Sequence, residues 1–222
     1  MDTLNNLVDH LPSGPRENGT PALDAAAGWL QRTLPPWYIV LVALIAVSLI
    51  EMPLWRNYRT RMRPSAHDRG TIRVNSILGY LGIIAGLAAA FWSRSAPVLR
   101  VSPIMAWSGI AWLAAGAALR IWSMRTLGEL FTGTLQVLPD HRLVERGPYR
   151  LLRHPSYLGG DIALLGIGLL CGSWLSAVLF AGPPVAAHLW RIPIEERMME
   201  EAFGDAWRER AKRTWRMLPW IW

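Results

Sequence analysis

The stretch YLGGDIALLGIGLLCGSWLSAVLFAGPPVAAHLW, from Tyr157 to Trp190, decides the fold. Only Asp161 carries a formal charge in it, with His188 near its end. As one straight helix its 34 residues would reach about 51 Å at ~1.5 Å per residue, well past the ~30 Å hydrocarbon layer of a bilayer. It is also short for two conventional spans. Cys171-Gly172-Ser173 offers a turn near its centre and Pro183-Pro184 a later kink. Charge decides between the two layouts. Arg146, Arg150 and Arg153 precede the run while Arg191 and Arg197 follow it, so both ends belong on the cytoplasmic side. The stretch is predicted to be a hairpin of two helices.

Working outward, uncharged apolar runs recur at Trp37–Ile50, Ser76–Trp92 and Val101–Leu119. A chain of 222 residues with 52% hydrophobic and 18% charged residues suits a soluble protein by composition alone, but this distribution does not. The predicted class is all-α: a polytopic membrane protein with about five transmembrane helices, at 36–55, 76–93, 102–122, 156–171 and 174–191. The last two form the hairpin, and a C-terminal amphipathic helix follows. Thirteen Trp fit aromatic belts at membrane interfaces, beside ordinary packing roles. The net charge of +7 comes almost wholly from arginine, and its loop distribution reads as a topology signal rather than a nucleic-acid footprint. The first loop holds Arg56, Arg59, Arg61, Arg63, Arg69 and Arg73, whereas the second holds only Arg94 and Arg100. The N-terminus is therefore expected outside and the first loop, third loop and C-terminal segment in the cytoplasm, at the inner membrane in a bacterium. Residues 1–35 read as a polar tail with a short interfacial helix, 36–126 as the first three spans, and 127–222 as the region that carries chemistry. No cleaved signal peptide is evident. The arginine-rich first loop could also meet anionic lipid.

Cys171 is the single cysteine, which excludes internal disulfides and cysteine-based metal sites. His10, His67 and His141 lack metal-ligand spacing with one another, so no metal is expected. Phosphate-binding, nucleophile-elbow and zincin motifs are absent, and no strand–helix alternation supports a Rossmann domain.

The unusual polar residues fall in two strings on the same predicted face. GPYRLLRHPSYLG, Gly147–Gly159, clusters Tyr149, Arg150, Arg153, His154, Pro155 and Tyr157 at the mouth of the fourth span. An interfacial belt explains each residue singly, and a site explains the group. RIPIEERMMEEAFGDAWRER, Arg191–Arg210, repeats Ile194, Met198, Ala202 and Ala206 every four residues, as an amphipathic helix does. If helix continues through Pro193, His188, Arg191 and Glu195 share one face while Glu196 sits about 100° away. That face either frames a cavity or holds an Arg191–Glu195 ion pair. Asp161, a turn inside the fourth span, must point into the bundle or snorkel, with Arg150, Arg153 or His154 as candidate partners. His188 reads as a hydrogen-bonded core residue or as part of the site.

Taken together, LVERGPYRLLRHPSYLG and RIPIEERMMEEAFGDAWRERAKRTWRMLP resemble the isoprenylcysteine carboxyl methyltransferase family, bacterial and archaeal relatives included, over Leu127–Pro219. The resemblance implies an integral membrane methyltransferase that uses S-adenosyl-L-methionine at the cytoplasmic face. It implies that Tyr149, Arg153, His154, Pro155, Tyr157 and Glu195 bind the cofactor, and that Arg191, Glu195 and Glu196 complete the site or orient the acceptor. The expected partner is a lipophilic or lipid-modified substrate arriving from the bilayer, such as a prenylcysteine carboxylate, with membrane lipids around it and neither nucleic acid nor a protein partner indicated. A carboxylate acceptor needs no general base, whereas an amine or thiol would draw on Glu195, Glu196 or His154. Two other functions remain open from sequence: a membrane NADPH-dependent sterol or enone reductase, which shares an HP-x-Y element, and a non-catalytic scaffold or carrier.

Overall fold

The computed structural model describes residues 38, 41–45, 68, 70–138 and 140–220. Residues 41–45 are helical, and the rest of the first predicted span, the predicted interfacial helix and most of the arginine-rich loop lie outside the described residues. Five further helices follow: α1 Thr71–Trp92, α2 Pro103–Leu127, α3 Pro155–Leu170, α4 Trp174–Phe203 and α5 Asp205–Arg213. Among the described residues there is no strand, only two isolated bridges.

Local chemistry sets the helix ends. Ser102 accepts a hydrogen bond from the Met105 N–H and Pro103 occupies the first turn of α2, where its missing donor costs nothing. Ser173 caps α4 the same way through the Ser176 N–H. Between α3 and α4 the chain turns within Cys171-Gly172-Ser173, where Gly172 has φ 76°, so the break falls where the sequence offered it.

α4 runs unbroken through Pro183, Pro184 and Pro193 to Phe203, so span and amphipathic segment are one helix. A helix in an apolar setting tolerates such prolines where neighbours satisfy the freed carbonyls. The amphipathic segment in turn does not reach Arg210 as one piece. Gly204, at φ 55°, ends α4 and starts α5.

Among the described residues two helices are long and apolar enough to cross a membrane, α1 and the Pro103–Leu130 segment that contains α2, while α3 is a shorter apolar helix. Small residues bring the helices into close contact. A Cβ on Gly109 would lie 2.5 Å from the Gly166 carbonyl oxygen and one on Gly159 2.7 Å from that of Gly116, so α2 and α3 touch backbone to backbone. At the opposite side Phe180 of α4 packs over Gly86 of α1 and, with Ala43 and Ile167, forms an apolar core cluster. Ser93 and Ser173, both buried, share a 2.6 Å hydrogen bond that ties the end of α1 to the α3–α4 turn. All of this leaves the opposite ends of α1, α3 and α4 side by side.

A candidate active site at the mouth of the bundle

His154 and Pro155 open α3, with Pro155 fully buried at its first turn. The approach to it is held by the C-terminal segment: the Arg153 N–H donates to the Trp215 carbonyl at 2.8 Å, the His154 N–H to the Arg216 carbonyl at 2.9 Å, and the Trp215 N–H to the Leu151 carbonyl at 2.9 Å. These bonds fix the ring of His154, which lies parallel to Tyr157 at 5.6 Å.

Tyr157 is the hub. Its hydroxyl donates to Glu195 Oε2 at 2.8 Å and accepts from Arg191 Nε at 2.9 Å. The direct Arg191–Glu195 ion pair is thus replaced by a bridge through the phenol, because both residues lie on the α4 face turned toward α3. Arg191 also donates to Thr71 Oγ1 at 2.7 Å, to the Gly133 carbonyl at 2.7 Å and to Asp68 Oδ1 at 3.4 Å. Four of its five N–H donors are therefore spoken for by protein. Asp68 accepts in addition from the Thr71 hydroxyl and the Leu135 and Ile72 N–H groups. Burial pushes its carboxyl up, but these hydrogen bonds and the Arg191 charge outweigh it, and the net direction is down.

Glu196, turned away as its helical position requires, enters a different cluster. It accepts from Arg153 Nε at 2.6 Å and from Arg216 Nε at 2.9 Å, with His154 Nε2 at 3.4 Å. Burial raises its carboxyl, yet the hydrogen bonds from His154 and Arg153 and their charges win and hold it at about 2. Arg153 also donates to the carbonyls of Ala211 and Thr214, which fastens the C-terminal end of α5 to the mouth of α3.

Deeper in the bundle, Asp161 pairs with His188 across α3 and α4, Oδ2 to Nδ1 at 3.1 Å. None of the arginines or His154 partners it as expected, since one turn of helix carries it beyond their reach. The His188 ring stacks on Tyr157 at 4.4 Å and 10°. At the rim, buried Arg210 donates to the Tyr149 carbonyl at 3.2 Å and lies over the Trp207 ring. Burial pushes the Tyr149 hydroxyl well above its usual range.

These groups surround a cavity of about 360 Å³, within the ~300–1,000 Å³ typical of small-molecule sites. Of the predicted site residues, Tyr149, Arg153, His154, Tyr157, Arg191 and Glu195 line it; Pro155 and Glu196 stand behind the wall. Three lining atoms, Asn75 Oδ1, Thr134 Oγ1 and Arg210 Nε, are buried without a hydrogen-bond partner, the signature of a wall built for a polar ligand. Sequence reasoning missed Asp68, which precedes α1, and Thr71, which opens it, with no motif to flag either. It also left Arg210 unassigned. Among the described residues no group of three or more His, Cys, Asp or Glu is arranged to hold a metal.

Fold and site together define a helical membrane protein with a polar cavity at one end of its bundle. Residues 109–201 match the model of the isoprenylcysteine carboxyl methyltransferase (ICMT) family. Protein-S-isoprenylcysteine O-methyltransferase B of Arabidopsis thaliana is 31% identical over 51% of this chain and 58% of its own length. The Schizosaccharomyces pombe protein-S-isoprenylcysteine O-methyltransferase is 33% identical over 51% of this chain and 49% of its own. The chain thus spans about half to three fifths of those relatives. An uncharacterized Bacillus subtilis protein is 26% identical over 74% of this chain and 97% of its own length. Among solved structures, a eukaryotic intramembrane Ras methyltransferase ICMT superposes with a TM-score of 0.60 over 90% of this chain and 73% of its own, at 18% identity, which establishes the likeness of fold.

Proposed function

We propose that the protein is an S-adenosylmethionine-dependent membrane methyltransferase acting on a lipophilic acceptor, with a prenylcysteine-type carboxylate as the first candidate. The observation that carries this reading is the Arg191–Tyr157–Glu195 bridge set in the wall of a ligand-sized cavity that also presents three buried polar atoms without a partner, Asn75 Oδ1, Thr134 Oγ1 and Arg210 Nε. The donor set fits the cofactor. Its ammonium suits the Glu195 carboxylate, its carboxylate suits Arg153 or Arg210, and Tyr149, His154 and Tyr157 offer rings and hydroxyls for the rest. When bound, the cofactor supplies a methyl group activated on a sulfonium.

The chain's own residues then have three tasks. Arg191, with most of its donors used, acts as a strut that fixes Tyr157 and through it Glu195. Glu196 is a positioning residue that locks Arg153 and His154 into the wall. The apolar part of the lining, including Ile72, Leu127 and Leu130, keeps water from the nucleophile, which favours a reaction that annihilates charge. Five spans with a hairpin of α3 and α4, an outside N-terminus and a site on the cytoplasmic face complete the proposal, supported by the arginine distribution.

Calorimetry on detergent-purified protein tests it. S-adenosylhomocysteine is expected to bind in the micromolar range or tighter, with transfer of labelled methyl to N-acetyl-farnesylcysteine. Binding of NADPH and not of S-adenosylhomocysteine would overturn it in favour of a reductase.

A further inference from the structure

The Asp161–His188 pair has no work in methylating a carboxylate, yet it lies at the deep end of the same cavity. Asp161 is 6% exposed and His188 7%, and with Asp161 ionised, a state that only accepts, the hydrogen between them is assigned to His188 Nδ1. The lone pair of the ring is then on Nε2, for which the structure shows no protein partner, and His188 lines the cavity. Packing against Tyr157 fixes the ring plane. The cavity wall contributes one more acceptor without a partner, Asn75 Oδ1 of α1. His188 Nε2 and Asn75 Oδ1 are thus two acceptors available to a ligand that brings its own hydrogen.

Resting on the methyltransferase reading, we propose that His188, backed by Asp161, is the general base for a second class of acceptor: a lipophile whose nucleophile is an acidic O–H or S–H, such as an alkyl-substituted phenol, enol or thiol. The proton of that group passes to His188 Nε2 while the oxygen or sulfur forms the new bond to the methyl carbon. The methyl–sulfonium bond breaks with its electron pair kept by the cofactor's sulfur. His188 ends as an imidazolium paired with Asp161 and returns its proton to solvent through the cavity. An imidazole can take the proton of such acidic groups and not that of an aliphatic alcohol, which sets the class. Asp161 follows Tyr157 by one helical turn on α3, and His188 precedes Glu195 by two on α4.

The charged and titratable groups around His188 are Asp161 and Tyr157 from α3, Arg120 of α2 acting on Asp161, and Arg191 on its own helix; α1 presents the uncharged Thr71 and Asn75. The test uses the full chain in detergent without cofactor and a long-chain alkyl nitrophenol, whose phenolate absorbs in the visible. Across about pH 5 to 9 the bound probe is expected to ionise at a pH lower by about one unit or more in the wild type than in His188→Gln or Asp161→Asn. Identical titrations in all three would overturn the proposal. With S-adenosylmethionine added, the ratio of nitrophenol to farnesylcysteine methylation is expected to fall by about 10²-fold or more in His188→Gln, the usual worth of a general base. An equal fall for both acceptors would overturn it as well. Asp161→Asn keeps the shape of the pair and supplies the spectral comparison if His188→Gln does not fold. Failure of the wild type to bind S-adenosylhomocysteine would instead sink the methyltransferase reading and leave the probe titration standing.

Discussion

Replacing Glu196 by Gln removes the negative charge on which Arg153, His154 and Arg216 converge while keeping the side chain's size. The side chain is 12% exposed, so its interactions are only weakly screened. The folded protein holds this carboxyl at about 2 against an ordinary 4.5. A folded pKa below the unfolded one contributes stability that is complete above the unfolded value and is lost as pH falls through the folded one. At ~1.36 kcal/mol per pH unit the contribution near neutrality is on the order of 3 kcal/mol. For a chain of this size that corresponds to roughly 6–12 °C in melting temperature. Thermal unfolding followed by tryptophan fluorescence, in detergent at several pH values, reads it. The gap between wild type and Glu196→Gln is expected to be full at pH 7, to narrow below about pH 4.5 and to close toward pH 2. A gap that is absent at pH 7, or the same at every pH, would refute the idea that the charge does the holding.

Tyr157→Phe removes the bridge between Arg191 and Glu195; calorimetry is expected to show S-adenosylhomocysteine binding weakened about 10- to 100-fold, since hydrogen bonds to charged groups are worth ~1.5–3 kcal/mol. Asp68→Ala strips a buried guanidinium of its carboxylate and is expected to cost ~3–5 kcal/mol of stability, visible as a lower melting temperature at neutral pH. Gly116→Ala forces a methyl group against the backbone of α3 and is expected to cost about 1–3 kcal/mol or to lower the yield of monodisperse protein, whereas Gly182→Ala, with open space around it, is expected to do neither.

The helical class and the turn at residues 171–173 were legible because length and charge constrain a membrane chain so tightly. The separation of Glu195 from Glu196 was legible too, since a helix that passes through Pro193 has to put them on different faces. The partner of Asp161 was not. Which α4 residue meets it depends on the axial register of α3 against α4, and that register is set by Gly168 lying against Ala177, a contact no periodicity reports. Asp68 was hidden for another reason: it stands in a loop whose arginines already had a topological explanation, and the strut from Arg191 reaches it only because α1 packs on α4. The pairing of Arg153 and His154 with Trp215 and Arg216 carries no sequence signal at all, as RTWRML shows no strand alternation.

That short pairing has a consequence for the order of events during folding. Its two halves are separated by about 60 residues, and closing a loop of that length is paid for in chain entropy before any contact offsets it. The apolar helices between the halves nucleate through near neighbours, so the bundle precedes its mouth. Residues 215 and 216, which do not line the cavity themselves, hold the backbone of Arg153 and His154, which do, so lesions in that segment are expected to act on the shape of the site from outside it.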